Sequence, residues 1–171
     1  MTKHELMQRL CEIGVIYKKN VVLRSGETSD FYCDIKKAFG YPDILIALAD
    51  HIGETLPASC SCIAASGYGG LPLASVVAAR WNKKFIAVRS SAKDHGKGGL
   101  IDGYLPEKHD QVVIVDDVLT SGSSIRETHA ILAEAGIDAT SASVVVMRGT
   151  PALPIPYTAV CTIGELIEKA N

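Results

Sequence analysis

The stretch Val112-Val113-Ile114-Val115-Asp116-Asp117-Val118-Leu119-Thr120-Ser121-Gly122-Ser123-Ser124 joins an apolar strand, an acidic pair and a hydroxyl-rich glycine loop without a break. Four consecutive apolar, β-branched residues at 112–115 predict a strand covered on both faces, and hence a parallel sheet with helices on either side. In such sheets ligands sit at the carboxyl ends of the strands. Asp116 and Asp117 emerge there, able to accept hydrogen bonds from sugar hydroxyls or to stand beside a hydrated magnesium ion. Thr120, Ser121, Gly122, Ser123 and Ser124 follow with hydroxyls and backbone N–H groups, and Ser123-Ser124-Ile125-Arg126-Glu127 opens a helix whose positive end favours a phosphate. Together these features predict a site for a phosphorylated ribose. Taken singly, each piece is also accounted for by a capped helix after a strand, with the serines as N-cap residues and the aspartates as loop polars.

Strand-loop-helix units repeat on both sides of this stretch. Residues 60–65 predict a strand leading through a glycine-rich loop into a helix that ends near Trp81, and residues 84–88 a strand leading into a long polar loop. After the acidic motif a helix is stopped by Gly136, and residues 139–147 predict a further strand. Upstream, Thr2-x-x-Glu5 is a capping box, with Leu6, Leu10 and Ile13 at helical spacing until Gly14. Extended segments are expected at 20–23 and 31–35, and a helix from Pro42 to about Leu56. Pro151, Pro154 and Pro156 predict an irregular crossing before Thr162-x-x-Glu165 caps a short final helix.

The expected fold class is therefore α/β, with a mainly parallel sheet flanked by helices. A chain of 171 residues with 47% apolar and 21% charged residues suits a single domain with a sizeable core. Its net charge of −2 gives no general reason to expect nucleic acid or a membrane surface as partner. The apolar runs at 44–49 and 144–147 are far shorter than a membrane span, and Met1-Thr2-Lys3-His4-Glu5 lacks a signal peptide's pattern, so a cytoplasmic protein is expected. Cys11, Cys33, Cys60, Cys62 and Cys161 show no C-x-x-C spacing, and Cys60 and Cys62 are expected to alternate along a strand as small apolar residues. No G-x-x-x-x-G-K-[ST] is present, and Gly96-Lys97-Gly98-Gly99 is not a Walker A loop.

Two further segments carry candidate chemistry. In Ser66-Gly67-Tyr68-Gly69-Gly70 the glycines would let backbone N–H groups approach an anion such as a pyrophosphate, although a tight strand-to-helix turn explains such a loop in isolation. Residues 89–103, from Arg89 through Lys93 and His95 to Gly103, carry cations and glycines with almost no apolar anchors. They read as a lid whose Lys93 and His95 would meet the charge of a departing pyrophosphate, or as a solvated surface loop.

The acidic strand end with its Thr/Ser/Gly loop resembles the phosphoribosyl pyrophosphate (PRPP) motif of the type I phosphoribosyltransferases. Lys93-Asp94-His95-Gly96 with the following glycines resembles the catalytic loop of orotate phosphoribosyltransferases, and Leu23-Arg24-Ser25-Gly26-Glu27-Thr28-Ser29-Asp30-Phe31-Tyr32 is similar to that family's N-terminal L-K-S-G-x-x-S segment. These matches span most of the chain from Leu23 to Arg148. The resemblance implies a type I phosphoribosyltransferase fold with residues 1–40 as a base-side subregion and 41–171 as the PRPP-binding core. It also implies transfer of the 5-phosphoribosyl group from PRPP to orotate, giving orotidine 5′-monophosphate and pyrophosphate. Lys93, His95, Asp116 and Asp117 would be catalytic. Arg89, residues 66–70 and residues 116–124, including Val118 and Leu119, would hold PRPP. Arg24, Phe31, Tyr32, Thr120 and Arg148 would hold orotate, Arg148 gripping its carboxylate.

Mg2+ would be bound mainly through PRPP, with Asp116 and Asp117 nearby. A homodimer is implied, each lid reaching the neighbouring site. Two positions depart from the pattern: Ser90 replaces the family's usual lysine after the loop arginine, and Arg24 replaces the lysine of L-K-S-G. A type I enzyme for another base, or a PRPP-binding sensor without chemistry, are the alternatives. Arg148 argues against a neutral purine, and Lys93 and His95 argue against a sensor.

Overall fold

The computed structural model describes residues 1–22, 28–89 and 99–170, without the side chains of 18–22 and 28–30. In chain order the elements are α1 (Lys3–Glu12), β1 (Ile16–Val22), β2 (Thr28–Cys33), a 3-10 segment (Ile35–Gly40), α2 (Pro42–Thr55), β3 (Cys62–Ser66), α3 (Gly67–Arg80) and β4 (Lys84–Val88). There follow β5 (Ile101–Gly103), β6 (Val112–Leu119), α4 (Ser123–Glu134), β7 (Ala139–Met147), β8 (Tyr157–Thr162) and α5 (Ile163–Ala170).

Six strands form a central sheet in the order β5-β4-β3-β6-β7-β8, while β1 and β2 form a separate two-stranded antiparallel ribbon. Pairing is parallel from β4 through β8, and the short β5 joins the edge antiparallel to β4. The run of apolar residues in β6 follows from this placement. Val113 and Val115 pack with Ile63, Ala65, Leu73 and Val77 beneath α2 and α3. Val112 and Ile114 pack with Cys62, Ala64, Ile86, Ile125 and Leu132 beneath α4. A strand buried on both faces has no polar side, which is why the period-two alternation disappears. The chain winds from β3 outward to β4 and β5 in one direction and from β6 to β7 and β8 in the other. The crevice between β3 and β6 is thus the switch point, where the flanking loops diverge and leave room for a ligand.

The helix boundaries follow local chemistry. Thr2 and Glu5 form the reciprocal capping box expected for α1, and Thr162 and Glu165 do the same for α5. Gly14 and Gly136 lie beyond the ends of α1 and α4 at φ 70° and 76°, a conformation in which a Cβ is strained.

Several boundaries differ from the sequence reading. The first ribbon strand begins at Ile16, and Ile35 lies in the 3-10 segment, buried with Ala38. Cys60 precedes β3 and is buried like Cys62, its thiol set toward the Cys62 carbonyl. Residues 101–103 of the polar loop pair as β5. The tail also contributes β8, whose register with β7 runs from Ala142↔Tyr157 to Met147↔Thr162. Among the described residues no helix is long and apolar enough to cross a membrane.

Candidate active site

Strand β6 runs on through the acidic pair to Leu119, so Asp116 and Asp117 lie within the strand rather than in the loop after it. β3 pairs with β6 only as far as Ile114, whereas β7 follows β6 to Leu119. Beyond the β3 pairing the carboxylates fold back on the strand: Asp117 N–H donates to Asp116 Oδ1 and Val118 N–H to Asp117 Oδ1, each at 2.9 Å. Asp116 is buried. Burial first, and repulsion from Asp117 second, raise its pKa well above the ordinary carboxylate range. Asp117 is half-exposed toward the crevice.

The glycines of the 66–70 segment do not form a loop. Gly67 turns the chain at φ 67°, and α3 begins there at once. The first turn of α3 therefore lies directly against the carboxylates: a Cβ on Gly69 would stand 2.4 Å from Asp117 Oδ1, and one on Gly70 would stand 3.0 Å from the Val115 carbonyl oxygen. The absence of side chains here lets the helix N-terminus reach the acidic pair, and the N–H groups of a first helical turn have no partner within their own helix.

The second anion-facing turn is built from Thr120 to Ser124. Gly122 is the N-cap residue of α4 at φ 77° and supplies no side-chain cap, so the serines are not capping residues. The turn is held from three sides. Arg126 donates to the Ser121 carbonyl at 2.6 Å and to the Ala152 carbonyl at 3.1 Å. Arg148 and Gly149 N–H groups donate to the Leu119 carbonyl at 2.8 and 3.1 Å. Thr128, 1% exposed, donates its hydroxyl to the Ser124 carbonyl at 2.8 Å and meets Ser66 Oγ at 2.7 Å, which ties the two anion-facing turns together.

These elements enclose a cavity of about 490 Å³, within the roughly 300–1,000 Å³ common for small-molecule sites. Ser66, Gly67, Gly69 and residues 120–124 line it, together with Tyr68, which is 92% exposed. Tyr32, Cys33, Lys36, Arg148 and the acidic pair complete the lining. Arg148 leaves the end of β7 and donates from Nη2 to the Phe31 carbonyl at 2.6 Å, linking the sheet to the β1–β2 ribbon. The ribbon aromatics are in contact, Tyr17 and Tyr32 standing 5.5 Å apart.

Most of the residues expected from sequence meet in this one cavity: Tyr32, Ser66 to Gly69, residues 116–124 and Arg148. Gly70 supports the acidic pair from behind, and Phe31 reaches the site through its carbonyl. Arg89 does not line the cavity; it is ion-paired with Asp102 across β4 and β5. Arg24, Ser90, Lys93 and His95 lie outside the described residues. Cys33, Lys36 and Ile125 line the cavity without having been singled out. Lys36 sits beside Lys37 in Asp34-Ile35-Lys36-Lys37, and nothing in that local sequence distinguishes the two. Only the buried pattern of Cys33, Ile35 and Ala38 separates the inward lysine from the outward one. No cluster of three or more His, Cys, Asp or Glu side chains able to hold a metal occurs among the described residues. Two adjacent carboxylates suit an ion whose remaining ligands come from a substrate.

Residues 43–168 match the family model of the phosphoribosyl transferase domain, which defines the class. An orotate phosphoribosyltransferase from Methanopyrus kandleri is 36% identical over 148 residues, covering 86% of this chain and 79% of the relative. One from Pyrococcus horikoshii is 36% identical over 149 residues, covering 85% and 80%. The crystal structure of orotate phosphoribosyltransferase from Aeropyrum pernix matches with a TM-score of 0.83 at 29% identity, covering 96% of this chain and 97% of that one. The chain belongs to the orotate phosphoribosyltransferase family, and it has that family's type I fold.

Proposed function

We propose that the protein transfers the 5-phosphoribosyl group of PRPP to N1 of orotate, yielding orotidine 5′-monophosphate and pyrophosphate on the route to pyrimidine nucleotides. The observation that carries this reading is the single cavity in which a strand-borne acidic pair lies between two anion-facing helix N-termini and an arginine beside the ribbon. The 5′-phosphate would sit at residues 120–124, the ribose diol on Asp116 and Asp117, and the pyrophosphate at the first turn of α3. Orotate would lie between Tyr32 and Arg148, its carboxylate in the guanidinium fork.

The reaction breaks the bond from the anomeric carbon to the pyrophosphate oxygen and forms one to N1, which gives up its proton. Positive charge develops on the ribose as negative charge leaves with pyrophosphate, so fixed N–H dipoles at the leaving-group end stabilise the transition state. Mg2+ would supply charge neutralisation on the PRPP oxygens, with Asp116 and Asp117 beside it. Lys93 and His95 would complete the leaving-group side, and Arg89, Arg24 and Phe31 the PRPP and orotate contacts. A homodimer in which the catalytic loop, with Lys93 and His95, reaches the neighbouring site, a cytoplasmic location, and the division into a base-side subregion, 1–40, and a PRPP-binding core, 41–171, belong to the same reading. The homodimer and the division rest on the family resemblance, and the location on the reading of the apolar runs and charge pattern.

The test is an ultraviolet assay of orotate consumption with PRPP and magnesium, paired with pyrophosphate release in the presence of uracil, adenine, guanine and hypoxanthine. Turnover confined to orotate is expected. Turnover with a neutral base alone would overturn the Arg148 assignment, and PRPP binding without turnover would leave a sensor.

A further inference from the structure

Lys36 is placed in the cavity by its backbone. It lies in the 3-10 segment that follows β2, and that segment is anchored by Ile35 and Ala38, both fully buried. Its Nζ stands 2.6 Å from Asp34 Oδ1, an ion pair in which the lysine side chain remains 44% exposed. Asp34 Oδ1 itself is shielded from solvent, so it engages the ammonium away from competing water. Burial works against the ammonium's charge, and Asp34 and Asp117 more than offset it, leaving its pKa above that of a free lysine. An ammonium has three donors, of which a single carboxylate oxygen engages one, and Lys36 lines the cavity.

The neighbours decide what those donors meet. The phosphate-facing turns present helix N-termini and hydroxyls, whereas Lys36 follows Tyr32 and Cys33 in the chain, lines the cavity with them and Arg148, and feels the charges of Asp34 and Asp117. We infer that Lys36 is a further substrate-contacting cation at the base end, acting with Arg148 to select an anionic pyrimidine over a neutral one, with Asp34 as its positioning residue. This rests on the orotate reading above. Orotate presents a carboxylate beside N1 and becomes more anionic as N1 loses its proton. One guanidinium fork saturates the carboxylate, and an ammonium then stabilises the ring oxygens and the N1 charge that develop with reaction. A neutral pyrimidine gives Lys36 much less to bind.

The experiment measures KM for orotate and for PRPP, with kcat, in the wild type, Lys36→Met, Lys36→Arg and Lys37→Met. Lys37 donates to the Gly14 carbonyl at 2.9 Å and lies over the Tyr17 ring, outside the cavity. Lys36→Met is expected to raise the orotate KM about tenfold or more while the PRPP KM stays within about twofold. Lys36→Arg should recover part of the loss, and Lys37→Met should match the wild type. A rise in the PRPP KM instead would assign Lys36 to the leaving group and overturn the inference. Unchanged KM values with a lowered Tm would reduce it to a pin for the 3-10 segment. Wild type without orotate turnover removes the functional reading and this inference with it, whereas normal turnover with an indifferent Lys36→Met removes this inference alone.

Discussion

Replacing Asp116 by Asn should make the ligand-free protein more stable at pH 8 while lowering its activity about 100-fold. Burial and then repulsion from Asp117 push the Asp116 carboxyl up to about 7, whereas in the unfolded chain it ionises near 3.8, as a free aspartate does. Because the folded value is the higher one, the unfolded chain sheds its proton first as pH rises. Stability is therefore greatest below about pH 4, falls between about 4 and 7, and is level above that. Each pH unit in this window corresponds to ~1.4 kcal/mol, and part of the effect is shared with Asp117, so a penalty of ~2–3 kcal/mol at pH 8 is expected. Asn keeps an acceptor for the Asp117 N–H, which Asp116 Oδ1 now receives at 2.9 Å, and removes the buried charge. At ~2–4 °C per kcal/mol for a chain of this size, the variant should melt about 4–12 °C above the wild type at pH 8, the gap narrowing steadily as pH falls toward about 4. Loss of a charged acceptor for the ribose diol costs ~3 kcal/mol, or about 100-fold in kcat/KM. Thermal melts from pH 4.5 to 8.5, with one activity measurement, suffice. A variant less stable than the wild type at pH 8, or a gain that does not vary with pH, would refute the account of the buried carboxylate.

Gly69→Ala would place a Cβ 2.4 Å from Asp117 Oδ1; a loss of ~1–3 kcal/mol and weakened PRPP binding should appear in chemical denaturation and in a PRPP titration. Arg148→Ala should lower kcat/KM for orotate by about 100-fold, equivalent to ~3 kcal/mol for a lost charged contact, and near-normal orotate kinetics would remove the proposed carboxylate grip. Thr128→Val keeps the shape but deletes the hydroxyl between Ser66 and Ser124. It should cost ~1–2 kcal/mol and raise the PRPP KM more than the orotate KM, which steady-state kinetics with each substrate varied will show.

The parallel sheet was legible because β6 is buried on both faces and carries its apolar residues without interruption. The caps of α1 and α5 were legible because a capping box closes within four residues. The strand β8 was not, since Tyr157-Thr158-Ala159-Val160-Cys161-Thr162 is mixed in polarity and follows a proline-rich crossing; its pairing with β7 comes from a partner distant in sequence. The 66–70 segment read as a loop because glycine lowers helix propensity, yet its glycines occupy the first turn of α3, where at Gly69 the Asp117 carboxylate leaves no room for a side chain.

The α/β class, the acidic pair, the hydroxyl-rich turn and the candidate arginine are each written in contiguous residues whose local chemistry admits few conformations. That Asp116 is buried while Asp117 faces the crevice, that Thr128 joins two turns 62 residues apart, and that Lys36 rather than Lys37 enters the cavity were settled by folding. Those outcomes depend on which strands lie side by side and on which atoms lose contact with water. Both follow from packing between segments that the chain brings together only when it folds.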